Sequence, residues 1–398
     1  MARTTRTRRR TGPGIDALLA SKEMVLVCGS GGVGKTTMAA ALGLSAVVHQ
    51  GGKVLVLTVD PARRLADALG VGALGNAATR VPAEAFADAG VEPRGELWAA
   101  MLDTKAGWDE LIRRHAPDAG VRDAVLSNPL YQNITSRFVH SHDYLAMEQL
   151  HDLHASGEYD LVVVDTPPSR NALDVLEAPS RMVEFFGSRL LRWLTVPYRS
   201  RLFTVASKPF YQVADRVLGS RFLRDIADFF VLFQAMESGF VARAREVESL
   251  LGDLRTTFVV VSTLETAPAH EAVFLARELT ERGHHLGAIV ANRTLPAAFT
   301  KRAAASSARA LVDAVDGDDE LVDAVVERLG DARIEPRTAR EVLGEVGRRF
   351  HEVALVATRE AERRAELSDL APQLIDVPIL DSDVHDLAGL LTLVDHLR

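Results

Sequence analysis

The chain has 398 residues, a formal net charge of −8 and 25% charged residues, an ordinary composition for one large globular unit or two to three smaller ones. Its single cysteine, Cys28, excludes an internal disulfide and any cysteine-based zinc site within one chain. The negative balance argues against nucleic acid as a partner of the folded body, and no apolar run reaches the length of a membrane span.

In chain order, the first segment is a basic arm. Residues 1–14 carry Arg3, Arg6, Arg8, Arg9 and Arg10 and end in Thr11-Gly12-Pro13-Gly14, which predicts disorder. Residues 15–22 are too short and too polar to complete a signal peptide, so a cytoplasmic location is expected. Short β-branched runs then follow at 25–28, 54–59, 97–102, 161–164, 258–261, 288–290 and 374–379, with helical patterns between them. Strand–helix alternation of this kind predicts an α/β fold with a doubly wound, mainly parallel sheet.

Stretches 104–155 and 178–250 break the alternation and read as helices throughout. The second holds Phe185, Phe186, Phe203, Phe210, Phe222, Phe229, Phe230, Phe233 and Phe240, most of the chain's 15 Phe. That concentration predicts an inserted helical subdomain, either the core of a bundle or a groove for an apolar client helix. The nucleotide-binding domain is accordingly expected in three parts, 15–103, 156–177 and 251–398, the last carrying surface helices over 300–370. His140, His142, His151 and His154 cluster in the first helical stretch and read as exposed polar helix residues. Residues 386–398 read as a packed terminal helix.

The chemistry is concentrated in Gly29-Ser30-Gly31-Gly32-Val33-Gly34-Lys35-Thr36, which is G-x-x-x-x-G-K-[ST] between an apolar strand and a helix. Glycines let the backbone of residues 29–34, Val33 included, wrap a polyphosphate and aim N–H groups at it. The opening of the helix adds free N–H groups and the positive end of its dipole. Lys35 is expected on the β- and γ-phosphates, Thr37 on the α-phosphate, and the Thr36 hydroxyl on Mg²⁺. Asp60, in Thr58-Val59-Asp60-Pro61-Ala62, follows the second strand, where ligands of open parallel sheets bind. A carboxylate there can orient or deprotonate water. Asp165 ends the apolar run Leu161-Val162-Val163-Val164 and is expected to hold Mg²⁺, as such carboxylates often do through water. Asn292 ends another strand, where an amide can read an adenine edge, and Pro378 and Leu380 can wall the base; chemistry alone leaves both assignments open.

Taken together these segments resemble the arsenite-pump ATPase family, which includes the ATPase that delivers tail-anchored membrane proteins, in the manner of a single-domain bacterial member. The resemblance rests on Gly31 to Thr37, Thr58 to Ala62, Asp165-Thr166-Pro167-Pro168-Ser169, Asn292 and Val377 to Leu380, and spans residues 15–398. It implies a P-loop NTPase fold, ATP and Mg²⁺ as ligands, and a dimer that closes on ATP and opens after hydrolysis. It implies Asp60 as the switch I residue that activates water, Asp165 to Ser169 as the start of switch II, and Asn292 as an adenine contact. Lys35, Asp60 and Asp165 are then the catalytic set.

Three departures qualify it. Ser30 stands where most members carry a lysine that reaches the partner's nucleotide. Arg170-Asn171 replaces the usual Gly-His of switch II, and the cysteines of arsenite-stimulated or zinc-closed members are missing. The expected function is a Mg²⁺-dependent ATPase switch that captures or releases a partner, as a homodimer or as a heterodimer with a lysine-bearing paralogue. The alternatives are a nucleotide-binding scaffold with negligible turnover and the energising subunit of a membrane anion pump.

Overall fold

The computed structural model describes residues 14–58, 64–72, 74–101, 104–128, 131, 141–166, 173–187, 229–232, 234–296, 298–299, 301–317, 319–329 and 335–398. The basic arm, Asp60, His140, residues 167–171 and most of the Phe-rich stretch lie outside them.

The strands are β1 (Met24–Cys28), β2 (Gly52–Thr58), β3 (Thr79–Arg80), β4 (Gly95–Met101), β5 (Leu161–Asp165), β6 (Thr256–Ser262), β7 (Leu286–Thr294) and β8 (Leu374–Pro378). They form one sheet in the order β3-β4-β2-β5-β1-β6-β7-β8. Every pairing is parallel except β3 with β4. The antiparallel β3 leaves no signal in the sequence; two exposed residues carry no alternation to read.

Helices cover both faces. They are α1 (Ile15–Ala20), α2 (Lys35–His49), α3 (Arg64–Ala68), α4 (Ala83–Asp88), α5 (Thr104–His115), α6 (Ala119–Leu126), α7 (Ser141–Ser156) and α8 (Leu173–Gly187). Further along come α9 (Glu237–Leu251), α10 (Thr266–Glu281), α11 (Arg302–Gly317), α12 (Asp319–Leu329), α13 (Pro336–Leu370) and α14 (Leu387–Leu397). Alternation along each strand sorts side chains into two cores. Val25, Val27, Val54, Val56, Val259 and Val261 pack with α1, α2 and α14 on one face. Met24, Leu26, Cys28, Leu55, Phe258 and Val260 pack with α7, α9 and α10 on the other. Burial on both faces is why these strands read as continuous apolar runs. The terminal helix is packed as expected: Leu387, Leu390, Leu393, Val394 and Leu397 are buried, and Asp386 caps it by accepting from the Gly389 N–H.

A third core joins Leu111, Ile112, Val125, Leu145, Ala178, Phe229 and Phe240 from the helices beside the sheet. Its polar root is Glu148, 2% exposed, which forms an ion pair with Arg243, Nε lying 2.9 Å from Oε2, and lies 3.2 Å from His115 Nε2. Removing one partner of such a buried pair strands a charge, so this network holds α5, α7 and α9 in one arrangement. His151 and His154 are partly buried rather than exposed: His151 meets Arg243 and Glu246, and His154 meets Glu23. Burial and the neighbouring Arg243 hold the His151 pKa below its ordinary value.

Candidate nucleotide site

The site is built at the carboxyl ends of β1, β5, β2 and β7. The loop after β1 needs glycine for two separate reasons. Gly29, Gly32 and Gly34 adopt φ of +149°, +80° and +95°, which L side chains rarely tolerate. Gly29 also lies against β6, where a Cβ would sit 2.1 Å from the Val261 carbonyl oxygen. Gly34 lies under Asn292, where a Cβ would sit 2.5 Å from its Nδ2. Gly34 is also the N-cap residue of α2, so the free N–H groups of that helix open into the loop.

Lys35 is 6% exposed, and its Nζ donates to the Ser30 carbonyl oxygen at 2.8 Å, spanning the mouth of the loop. The Ser30 hydroxyl is buried and has no hydrogen-bond partner among the described residues. Beneath the loop, burial pushes the Cys28 thiol up to about 12, against a smaller lowering influence of the neighbouring Thr166. The lone cysteine is therefore an inert thiol, unsuited to metalloid ligation.

Strand register places the carboxylate. Asp165 is paired with Val27 of β1 on one side and Thr58 of β2 on the other. It is 1% exposed, and Oδ2 accepts from Thr36 Oγ1 at 2.6 Å and from Thr58 Oγ1 at 2.9 Å. A buried carboxylate beside a hydroxyl is an all-oxygen donor set, which fits a hard cation such as Mg²⁺. Thr36 and Asp165 are the residues that would hold it; the ion would supply charge neutralisation at the phosphates. Thr166 donates from Oγ1 to the Val27 carbonyl at 2.9 Å, tying the start of the segment after Asp165 to β1.

On the far side of the loop, Asn292 is fixed by two hydrogen bonds. Its Nδ2 donates to the Val33 carbonyl at 2.8 Å, and its Oδ1 accepts from the Arg293 N–H at 3.0 Å. These two bonds fix which way the amide points, since one partner only accepts and the other only donates. One N–H and one oxygen lone pair remain. That pair matches the N7 acceptor and N6 donor of adenine, whereas guanine offers two acceptors. Pro378 ends β8 on the neighbouring strand, Ile379 donates from its N–H to the Thr294 carbonyl at 3.0 Å, and Leu380 is partly buried beyond it.

The structure thus brings together Gly29, Gly32, Val33, Gly34, Lys35, Thr36, Asp165 and Asn292. Gly31 lies within the same loop and Thr37 in the first turn of α2. Asp60 lies outside the described residues. Thr58 carries a role that the sequence reading misses; a polar residue closing an apolar strand is the available signal.

A phosphate-cradling loop between a parallel strand and a helix, with an aspartate ending the adjacent strand, defines a P-loop nucleotide-binding protein. The chain belongs to the anion-transporting ATPase family, whose profile matches residues 22–318. It is similar to the ATPase GET3 of Malassezia globosa, 27% identical over 301 residues, covering 74% of this chain and 80% of that protein. It is also similar to an uncharacterized protein of Streptomyces coelicolor, 30% identical over 273 residues, 68% of this chain and 62% of that protein. The match therefore spans less than two thirds of the Streptomyces protein's length. An ATPase ASNA1 homolog of Entamoeba dispar is 24% identical over 274 residues, 68% of this chain and 76% of its own. Among the described residues no helix is long and apolar enough to cross a membrane, and no cluster of His, Cys, Asp and Glu suits a metal ion.

Proposed function

We propose that this chain hydrolyses ATP with Mg²⁺ in the cytoplasm and acts as a dimeric conformational switch, its helical region taking and releasing an apolar protein client. The observation that carries the reading is the shared seat on Asp165. Thr36 of the loop and Thr58 of β2 donate to one oxygen of that carboxylate. Thr58 lies two residues before Asp60, and the segment from Thr166 to Ser169 starts directly after Asp165. Phosphate chemistry at Thr36 therefore acts on both segments through a single atom. In this reading Lys35 neutralises the β- and γ-phosphates, Asp60 orients and deprotonates the attacking water, Asn292 reads adenine, and Pro378 and Leu380 wall the base.

Ser30 shapes the partner assignment. A neutral hydroxyl supplies no charge to a nucleotide across a subunit interface. Arg63, Arg64 or Arg170 of this chain, or a lysine of a paralogous subunit, then supplies the transition-state charge, a contribution on the order of 10³-fold in rate. A heterodimer with a lysine-bearing paralogue meets that need in one of its two sites.

The test separates turnover from binding. Asp60→Asn should lower steady-state phosphate release more than about tenfold while ATP affinity stays within about threefold, since general-base loss acts on the chemical step. Unchanged turnover would remove Asp60 from the mechanism. Purification of the chain from its own cells in ATP and in ADP, with mass analysis, should recover the partner or client in ATP alone.

A further inference from the structure

We infer that Glu360, far from the phosphate loop in sequence, is a positioning residue for base recognition: it clamps the bulge that aims Asn292. The inference rests on the proposed reading of Asn292 as the adenine contact.

The bulge is visible in the register. β7 pairs with β8 at Ala291↔Asp376 and next at Thr294↔Pro378, three steps on one strand against two on the other. The extra residue on β7 falls at Asn292-Arg293, and Arg293 takes φ +57°, the sole positive φ of a non-glycine among the described residues. Bulges re-aim side chains beside functional sites, and this one turns the Asn292 amide onto Val33. A left-handed arginine is strained, and such strain persists where surrounding structure over-determines it.

Within the sheet, three bonds hold the turn: Arg293 N–H to Asn292 Oδ1, Ile379 N–H to the Thr294 carbonyl, and Thr294 Oγ1 to the Val377 carbonyl. The next N–H of the turn belongs to Leu295, and it is taken from outside the sheet by Glu360 Oε2 at 3.3 Å. Glu360 sits on α13, whose seat is set by its next turn. Arg363 donates to the Leu264 carbonyl at 2.8 Å and to Thr266 Oγ1 at 2.6 Å, at the corner after β6. Arg364 binds both carboxylate oxygens of Asp376 on β8, the residue paired with Ala291 just before the bulge. Three neighbouring side chains of one helix thus anchor to the ends of β7 and β6 and to β8 around a single irregularity. Burial at this junction raises the Glu360 carboxyl pKa above its ordinary value, opposed by the Leu295 N–H and Arg363.

Releasing the Leu295 N–H frees the strained turn, so the aim of Asn292 is lost, while the phosphate loop gives up only the one bond from Asn292 to the Val33 carbonyl and keeps its seat between β1 and β6. The two ends of the site can be probed separately with Mg²⁺-ATP, Mg²⁺-GTP and inorganic tripolyphosphate on the full chain by calorimetry. Glu360→Ala should weaken ATP about tenfold, narrow the ATP-to-GTP ratio by a similar factor and leave tripolyphosphate within about twofold, the scale of one lost hydrogen bond to a charged group. Glu360→Gln, which keeps an accepting oxygen, should restore ATP to within about threefold. ATP affinity unchanged in Glu360→Ala, or tripolyphosphate falling in parallel, would overturn the inference, the second by revealing a general structural role. Asn292→Ala separates the clamp from the base contact it serves. If it leaves the ATP-to-GTP ratio unchanged, the adenine reading itself fails; if it collapses the ratio and Glu360→Ala does not, the clamp alone fails.

Discussion

Asp165→Asn lowers Mg²⁺-dependent phosphate release by about 10²- to 10³-fold, on the expectation that a metal-binding carboxylate contributes several kcal/mol of charge stabilisation. The substitution keeps shape and removes charge. The side chain is 1% exposed and wedged between β1 and β2, so an isosteric amide fits where a larger residue would not. Its oxygen can still accept from Thr36 and Thr58, while its amide group faces the remaining side of the site with donors in place of lone pairs. Folding should survive and the chemistry should not. Phosphate release at saturating ATP, beside a melting curve, checks both. Turnover within about tenfold of the parent would show that the carboxylate is a structural strut for two threonines and no more.

The second large effect is on stability. Gly29→Ala should cost about 3 kcal/mol or more, at the upper end of overpacking penalties, because two faults coincide. The backbone sits at φ +149°, and the added Cβ would meet the Val261 carbonyl oxygen at 2.1 Å. That oxygen belongs to β6, which is paired with β1 along its length, so relief requires parting two central strands. Gly32→Ala is the control. Gly32 has φ +80° and open space where a methyl group would stand, so the left-handed penalty of about 1–2 kcal/mol acts alone. Denaturant midpoints of the two variants should be well separated. Equal losses would mean that the loop yields away from β6 at little cost.

The same pair of glycines explains what the sequence discloses and what it withholds. The pattern at 29–36 is legible because phosphate binding demands a particular backbone, and only glycine meets that demand at these positions. The central strands β1, β5 and β6 are the most legible, because burial on both faces leaves unbroken apolar runs, whereas β4 and β8 are only partly buried and read from shorter apolar stretches. The short β3 leaves no such trace. Asp165 is legible as the polar end of an apolar strand, whereas its engagement by Thr58 depends on register between β2 and β5, which no local pattern encodes. Asn292 can be placed at a strand end, but the geometry that aims it comes from a bulge against β8 and a clamp from α13. Glu360 looks like one more acid on a helix rich in Arg and Glu; its meaning comes from the arrangement of three strands at its side. His151 and His154 of α7 read as exposed for a related reason: their partners Arg243, Glu246 and Glu23 are distant in sequence.

Ser30 separates a working engine from a nucleotide-held scaffold. Its hydroxyl is buried and without a hydrogen-bond partner among the described residues, and its carbonyl holds Lys35 across the loop. If a catalytic charge arrives from Arg63, Arg64, Arg170 or a second subunit, hydrolysis proceeds; if none does, ATP binds and stays. The most direct measurement is phosphate release from the purified full chain with Mg²⁺-ATP under single-turnover conditions, with Mg²⁺-GTP beside it. A working ATPase gives slow, complete, Mg²⁺-dependent release that is at least about tenfold faster with ATP than with GTP at limiting nucleotide, the scale of one base-specific contact. Tight ATP binding with no phosphate released, alone or with any subunit that co-purifies, would contradict it.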